Sequence, residues 1–418
     1  RQARQQRPVR PLPAMCASAG PEREVMPVTR RTALGLAGLG PLLPYLPVPE
    51  ARASTPLGPR EVISDLAATV LGEPVTDPRI ILRNALPKSL HENPIVAVED
   101  LILGLGSKNN LRSAAGSRSI AQSEVTYENV NTLDLGALES GVRKAQSAVR
   151  RDYDAILAAF PADNRQPAAK LLVEMEYALS GWNAQLDSGV KYDQGTVTDL
   201  KNDLLNITSQ MQGLLVSKDS IAAMVPPEYS SLPQLRGRAV VELKVRDVSM
   251  GGEMLPMTLV LDGLNAPVTA GNFAKLVQSK FYDGMTIQRA DGFVVQTGES
   301  AKPTSTIPLE VRYQGEVTPE YGMSKEELGL MRKQVVLPFN ALGTLAMARQ
   351  EFESNSGNSQ IFFLQKESEV TPAGANMLDG NYAVFGYVVE GAEHINRLAV
   401  DDVIQSARVV YGADNLTA

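Results

Sequence analysis

The apolar positions of this 418-residue chain change period near residue 237. Before it they step by three and four: Leu138, Val142, Ala145, Val149, Ile156 and Phe160, then Leu171, Met175, Ala178, Trp182 and Leu186. Val197, Leu200, Leu204, Ile207, Met211 and Leu214 keep the same spacing. Such steps lay one apolar seam along each helix. Pro161 interrupts the first pair of seams, and the stretch 189–195, bounded by glycines, separates the second pair. Three helices joined by short breaks bury their seams against one another as a bundle. The last seam alone also fits a dimerising zipper, and packing within the chain is the favoured reading. Shorter helical patterns occupy 61–71 and 95–103, and the polar stretch 107–134 reads as a loop.

Beyond Pro226-Pro227-Glu-Tyr-Ser-Ser-Leu-Pro233, which stiffens the chain, the period becomes two. Val241, Leu243 and Val245 alternate, 257–261 makes a second strand, and Asn272-Phe-Ala-Lys-Leu-Val277 begins a helix. Strands with few helices and covered edges indicate a barrel. The expected architecture is multidomain: an all-α helical bundle, then a closed antiparallel β-barrel with flanking helices. Its boundaries are a leader at 1–53, the bundle at 54–225, a Pro-rich linker at 226–236 and the strand-rich domain at 237–418. The segment 300–340 is rich in Pro and Gly and reads as a loop insertion.

Charge separates the leader from the rest. Residues 1–53 hold eight arginines, no lysine and three acids, a net of +5. Arg30-Arg31-Thr precedes a Gly/Pro-interrupted apolar run ending in Ala51-Arg52-Ala53, a cleavage signature. A twin arginine before such a run reads as an export signal. An Arg-rich, acid-poor prefix in front of it makes a bipartite address: chloroplast import, then delivery to the thylakoid lumen. A bacterial periplasmic precursor is the second reading. Without the leader the net charge is −12, which disfavours nucleic acid or an anionic membrane surface as partner. The single cysteine, Cys16, lies in the leader, and His91 and His394 are far apart in sequence. Disulfide, thiolate, Ser–His–Asp and His-metal chemistry therefore lack their residues, and no cofactor or metal is expected.

The chemistry-bearing runs lie in the last third. They are Phe281-Tyr-Asp-Gly-Met-Thr-Ile-Gln-Arg289-Ala-Asp-Gly-Phe293-Val-Val-Gln296-Thr-Gly298, Gly343-Thr-Leu-Ala-Met-Ala348, Asn358-Ser-Gln360-Ile-Phe362-Phe363, and Leu378-Asp-Gly-Asn-Tyr-Ala-Val-Phe-Gly386. In this order and spacing they resemble the active-face motifs of cyclophilins, the peptidyl-prolyl cis-trans isomerases. With Leu261-Asp-Gly-Leu-Asn-Ala-Pro-Val-Thr-Ala-Gly-Asn-Phe273, the chain is similar to the large thylakoid-lumen cyclophilins of plants and algae.

An X-Pro bond crosses between isomers in tens to hundreds of seconds, held back by amide resonance. A catalyst of that step needs an apolar slot for the ring and a donor near the prolyl nitrogen, whose lone pair emerges as the bond twists. By resemblance, Arg289 is the catalytic donor. Phe293, Val294, Phe362, Met377 and Leu378 build the slot, and Gln296 holds substrate backbone. Gln288, Ala348, Arg349, Gln360 and Tyr382 complete the binding set. Gln288, Arg349, Met377 and Tyr382 depart from the family's usual histidine, asparagine, tryptophan and histidine.

Three readings follow from the resemblance. The chain binds Pro-containing segments of lumenal or photosystem II proteins as an assembly and maintenance factor, with weak or absent turnover. Alternatively it is a working isomerase for lumenal proteins. In the third reading it regulates a thylakoid protein phosphatase, or its bundle packs on the cyclophilin-like domain and masks the pocket. The substitutions at 288, 377 and 382 favour the first, and Arg289 keeps the second open.

Overall fold

The structure is a computed structural model and describes residues 75–105, 135–189, 192–249, 251–301, 304–331, 333–367 and 376–417. The leader, the helical pattern at 61–71 and the polar stretch 107–134 lie outside them.

Among the described residues seven α-helices come first: α1 Pro78–Asn84, α2 Pro94–Leu103, α3 Leu135–Arg151, α4 Tyr153–Ala158, α5 Arg165–Asp187, α6 Gln194–Leu214 and α7 Lys218–Ala222. Asp77, Asn93 and Asp193 cap α1, α2 and α6 by accepting bonds from the free backbone N–H groups that follow. Proline at the first helical position of α1 and α2 sets φ without losing a bond. The seams of α3, α5 and α6 meet in one core around Leu138, Val142, Leu172, Met175, Leu204 and Met211. The α6 seam is thus buried within the chain.

The second half contains β1 Gln234–Leu235, β2 Arg238–Arg246, β3 Met254–Asp262, helix α8 Pro267–Gln278, β4 Ile287–Ala290, β5 Val294–Thr297, β6 Glu310–Val311, β7 Glu320–Tyr321, β8 Thr344–Met347, β9 Ile361–Leu364, β10 Val384–Glu390, β11 Val403–Tyr411 and β12 Leu416–Thr417. Eight of these strands form one antiparallel sheet in the order β11-β2-β3-β10-β8-β9-β5-β4. The sheet is curled rather than closed, which corrects the expected barrel. Its end strands β4 and β11 share no ladder. A bridge from Thr286 to Val403 and hydrogen bonds between 284–287 and 401–404 stand between them. The short β4 and its bulge at Gln288, between Ile287 and Arg289, leave no run of residues in register with β11.

Two elements differ from the sequence reading. Helix α8 begins at Pro267, five residues before Asn272, because Pro267 fits a first turn and Glu310 caps it. The Glu310 carboxylate accepts from Val268 N at 3.2 Å, Thr269 N at 2.7 Å and the Thr269 hydroxyl at 2.7 Å. Glu310 belongs to the segment read as a loop insertion. That segment carries the β6–β7 hairpin and buries Leu309, Tyr313, Leu337 and Phe339 in the sheet core.

The halves interlock. Ile81 and Leu82 of α1 and its C-cap Ala85 belong to the sheet core, and Leu264 belongs to the helical core. The Arg238 side chain, 1% exposed, donates to Gln212 Oε1 of α6 at 2.9 Å and to Leu82 O at 2.5 Å. It also faces Asp262 Oδ2 at 3.5 Å. Arg79 and Asn206 both donate to Glu390 Oε1. The end of the Pro-rich stretch forms β1, which pairs antiparallel with β12 and packs on α8. A Cβ at Gly271 would lie 2.5 Å from the Gln234 backbone, so only glycine permits that approach.

Candidate functional site

The β4–β5 hairpin builds one wall of a pocket. Its turn is set by Asp291, whose Oδ1 accepts from Phe293 N at 3.0 Å and Val294 N at 2.9 Å. Gly292 takes φ +81 and donates its N–H to Gln365 Oε1, a conformation that favours glycine. The turn leaves Phe293 46% exposed at the rim while Val294 is buried. The bulge at Gln288 re-aims the strand so that Arg289 sits opposite Gln296.

Strand β9 supplies the floor. Phe362 stacks on Phe339 with ring centroids 5.9 Å apart and meets Tyr382 edge-on at 5.3 Å. Asp379 lies behind this ring stack, its Oδ1 accepting from Phe339 N at 2.8 Å. Burial pushes the Asp379 carboxyl up to about 6. Arg289, Phe293, Val294, Gln296, Ala348, Arg349, Phe362, Leu378 and Tyr382 together line a pocket of about 250 Å³. A volume of this order accommodates a proline ring and its flanking backbone. Among the described residues, the lining takes nothing from the helical half.

Three residues of the expected set fall outside the lining. Met377 is 87% exposed. Asn376 explains why: its Oδ1 accepts from Leu378 N at 3.0 Å, and that turn sends Leu378 inward in place of Met377. Gln288 sits in the bulge, half-buried. Gln360 stands behind Gln296, its Oε1 accepting from Gln296 Nε2 at 2.7 Å. Phe339 and Asp379 are supports that the sequence reading missed. The alternation Val335, Leu337, Phe339 was the available signal for the first of them.

The two guanidinium groups of the lining are held differently. Arg289 donates to Asp291 Oδ2 from Nε at 2.7 Å and approaches it from Nη2 at 2.5 Å. Backbone bonds from Val294 and Phe293, then Arg289 itself, hold the Asp291 carboxyl down to about 2, so it stays ionised. Arg349 instead donates Nε to Asn381 O at 2.7 Å and Nη1 to Gln350 O and Glu351 O. Its guanidinium carbon lies 5.2 Å from the Tyr382 ring centroid.

The family model for cyclophilin type peptidyl-prolyl cis-trans isomerases matches residues 246–413. The chain is 39% identical over 372 residues to the chloroplastic peptidyl-prolyl cis-trans isomerase CYP38 of Arabidopsis thaliana, covering 85% of this chain and 78% of that one. This chain belongs to the cyclophilin family. A Synechocystis protein named for the thylakoid lumen and for the same isomerase activity is 36% identical over 368 residues, 84% of this chain and 86% of its own. These relatives place the chain among the thylakoid-lumen cyclophilins. Both matches extend far beyond the cyclophilin domain, so they take in helical segments as well.

Within this cyclophilin the pocket is a slot whose lining combines Phe293, Phe362 and Tyr382 with two cations, Arg289 and Arg349. No group of three or more His, Cys, Asp or Glu side chains among the described residues could hold a metal. No described helix is long and apolar enough to cross a membrane.

Proposed function

We propose that this cyclophilin is an X-Pro-binding protein of the thylakoid lumen with weak or absent isomerase turnover. Its role is assembly and maintenance of photosystem II, and its clients are Pro-containing segments of lumenal proteins. The observation that carries the reading is the Arg289–Asp291 pair. A donor that assists the twisted amide works through positive charge aimed at the prolyl nitrogen. A carboxylate 2.7 Å from Nε occupies that donor and offsets part of its charge, an effect screened by solvent because both side chains are half-exposed. The slot of Val294, Phe362, Leu378 and Tyr382 still buries apolar ring surface, which supports binding without rate.

A second reading, a working isomerase, is favoured by the presence of Arg289, Phe293, Gln296 and Phe362 in one pocket. Protease-coupled isomerisation and peptide binding, both measured on the whole chain, separate the two. Asp291→Asn keeps the Oδ1 cap of the turn and removes the charge. The first reading expects binding with little rate in the native chain and a raised rate in Asp291→Asn. Arg289→Ala then removes that gain, roughly 10²-fold, as loss of one preorganised donor does. A native kcat/KM in the ordinary enzyme range, about 10⁴ M⁻¹s⁻¹ or more, unchanged in Asp291→Asn, establishes the second.

A further inference from the structure

Arg349 is the pocket cation that makes no ion pair with a carboxylate among the described residues. Its Nε and Nη1 are used by three backbone carbonyls, from Asn381, Gln350 and Glu351. The Tyr382 face lies under the guanidinium, and Tyr382 is in turn wedged edge-on against Phe362. Carbonyl dipoles and a ring face orient a guanidinium and leave its full unit charge in place. Among the described residues no acid side chain comes within ion-pair distance of it, whereas Arg289 in the same pocket has Asp291. The Arg349 charge reaches Glu327, whose carboxyl it helps to hold down, but only beyond ion-pair distance, so the lining carries one positive charge with no direct carboxylate partner among the described residues. Among the described residues Nη2 accounts for none of the bonds that hold the side chain. Such a preorganised group loses little side-chain entropy when it takes an anion.

We infer that Arg349 is a specificity-determining residue that selects clients with an acidic side chain close to the proline. This rests on the X-Pro reading of the pocket and narrows its substrate class to acid-flanked X-Pro segments. The partner chemistry is a carboxylate, taken through a charge-assisted hydrogen bond to the guanidinium. Because Arg349 is only half-buried, the gain is modest and screened by salt.

The test is fluorescence anisotropy on the whole chain with Ala-rich peptides containing one X-Pro. A Glu or a Gln is placed one to three residues to either side of the proline. The native chain is expected to bind the best Glu peptide roughly 3- to 10-fold more tightly than its Gln twin, with the ratio shrinking as salt rises. Arg349→Gln keeps an amide donor for the carbonyls and is expected to bring the ratio close to one, while Arg349→Lys retains part of it. A merely structural role would weaken Glu and Gln peptides alike and leave the ratio unchanged. Equal binding of the twins by the native chain, or a ratio that survives Arg349→Gln, overturns the assignment while leaving the X-Pro slot standing. Failure of every Pro peptide to bind, with Pro-free controls equal, overturns the slot and the assignment together.

Discussion

Glu99→Gln is expected to stabilise this cyclophilin near and above pH 7 and to do little below the ordinary carboxylate range. Glu99 is 2% exposed on α2, at the joint of the two halves. Its Oε2 accepts from Gln212 Nε2 at 2.8 Å, and Gln212 Oε1 in turn accepts from Arg238. Arg83 Nη1 lies 3.7 Å away and Asp100, itself paired with Arg83, adds repulsion. Burial outweighs the pull of Arg83 and Arg238 and pushes the Glu99 carboxyl from 4.5 up to about 7. Between those values the folded chain holds a proton that the unfolded chain has released. Raising the pH through that window therefore favours unfolding. At about 1.4 kcal/mol per pH unit the ionised group costs the fold at most about 3.5 kcal/mol.

Glutamine keeps an oxygen for Gln212 and carries no charge at any pH. Urea unfolding of both chains, followed by circular dichroism from pH 4 to 8, gives the difference in stability. Asp379 and the fully buried Glu310, both raised by burial, are present in each chain and cancel in that difference. The native chain is expected to lose stability relative to Glu99→Gln as pH rises, by about 1–3 kcal/mol in all. A difference that stays flat across the range refutes the reasoning. It would mean that Arg83 and Arg238 hold Glu99 ionised inside the joint.

Other outcomes follow from the packing. Phe362→Ala removes the ring between Phe339 and Tyr382 and is expected to cost about 3–5 kcal/mol of stability and most peptide binding. Met377→Ala, by contrast, is expected to leave peptide affinity within about twofold, because that side chain lies outside the pocket. Gly271→Ala forces α8 away from the Gln234 backbone and is expected to lower stability by about 1–3 kcal/mol in thermal unfolding. Residues 237–418 alone lack the buried Ile81, Leu82 and Ala85 and the β1 partner of β12. Their midpoint is expected well below that of 75–418, since each large aliphatic group contributes about 1.5–3 kcal/mol.

Periodic segments were legible in the sequence because burial on one face leaves a repeat. The seams of α3, α5 and α6 and the alternation of β2 are of this kind. Helix α1 was not legible: seven residues with two arginines show no seam, yet Ile81 and Leu82 enter the sheet core and Leu86, just beyond the helix, enters the helical core. The segment 300–340 read as a loop because its Pro and Gly mask short strands, and because a buried Glu310 looks like a surface charge until its cap bonds are seen. At the pocket, nine of twelve expected residues converge on one cavity. The Met377 exception was decided by a side-chain bond from Asn376, which no spacing reveals. The pairing of Arg289 with Asp291 was open to reading from their separation of two residues on a hairpin. Its consequence for the donor's charge emerges only from the geometry.

How the helical half can influence the pocket is constrained by where it touches. It contributes no described residue to the lining, so covering the slot is not its route among the described residues. Its contacts go instead to the sheet through Arg238, Glu390 and the α1 side chains in the sheet core. Strand β2 carries Arg238, and β10 carries Glu390 and lies beside β8, which leads directly into Ala348 and Arg349. Packed sheets transmit strain because they have few voids to absorb it. A partner binding the helices, or a change of charge at Glu99, is therefore expected to act on the slot through the sheet's stability. Such an effect is expected to alter affinity for Pro segments with no movement of a lid, along the contacts of Arg238, Glu390 and the α1 side chains together.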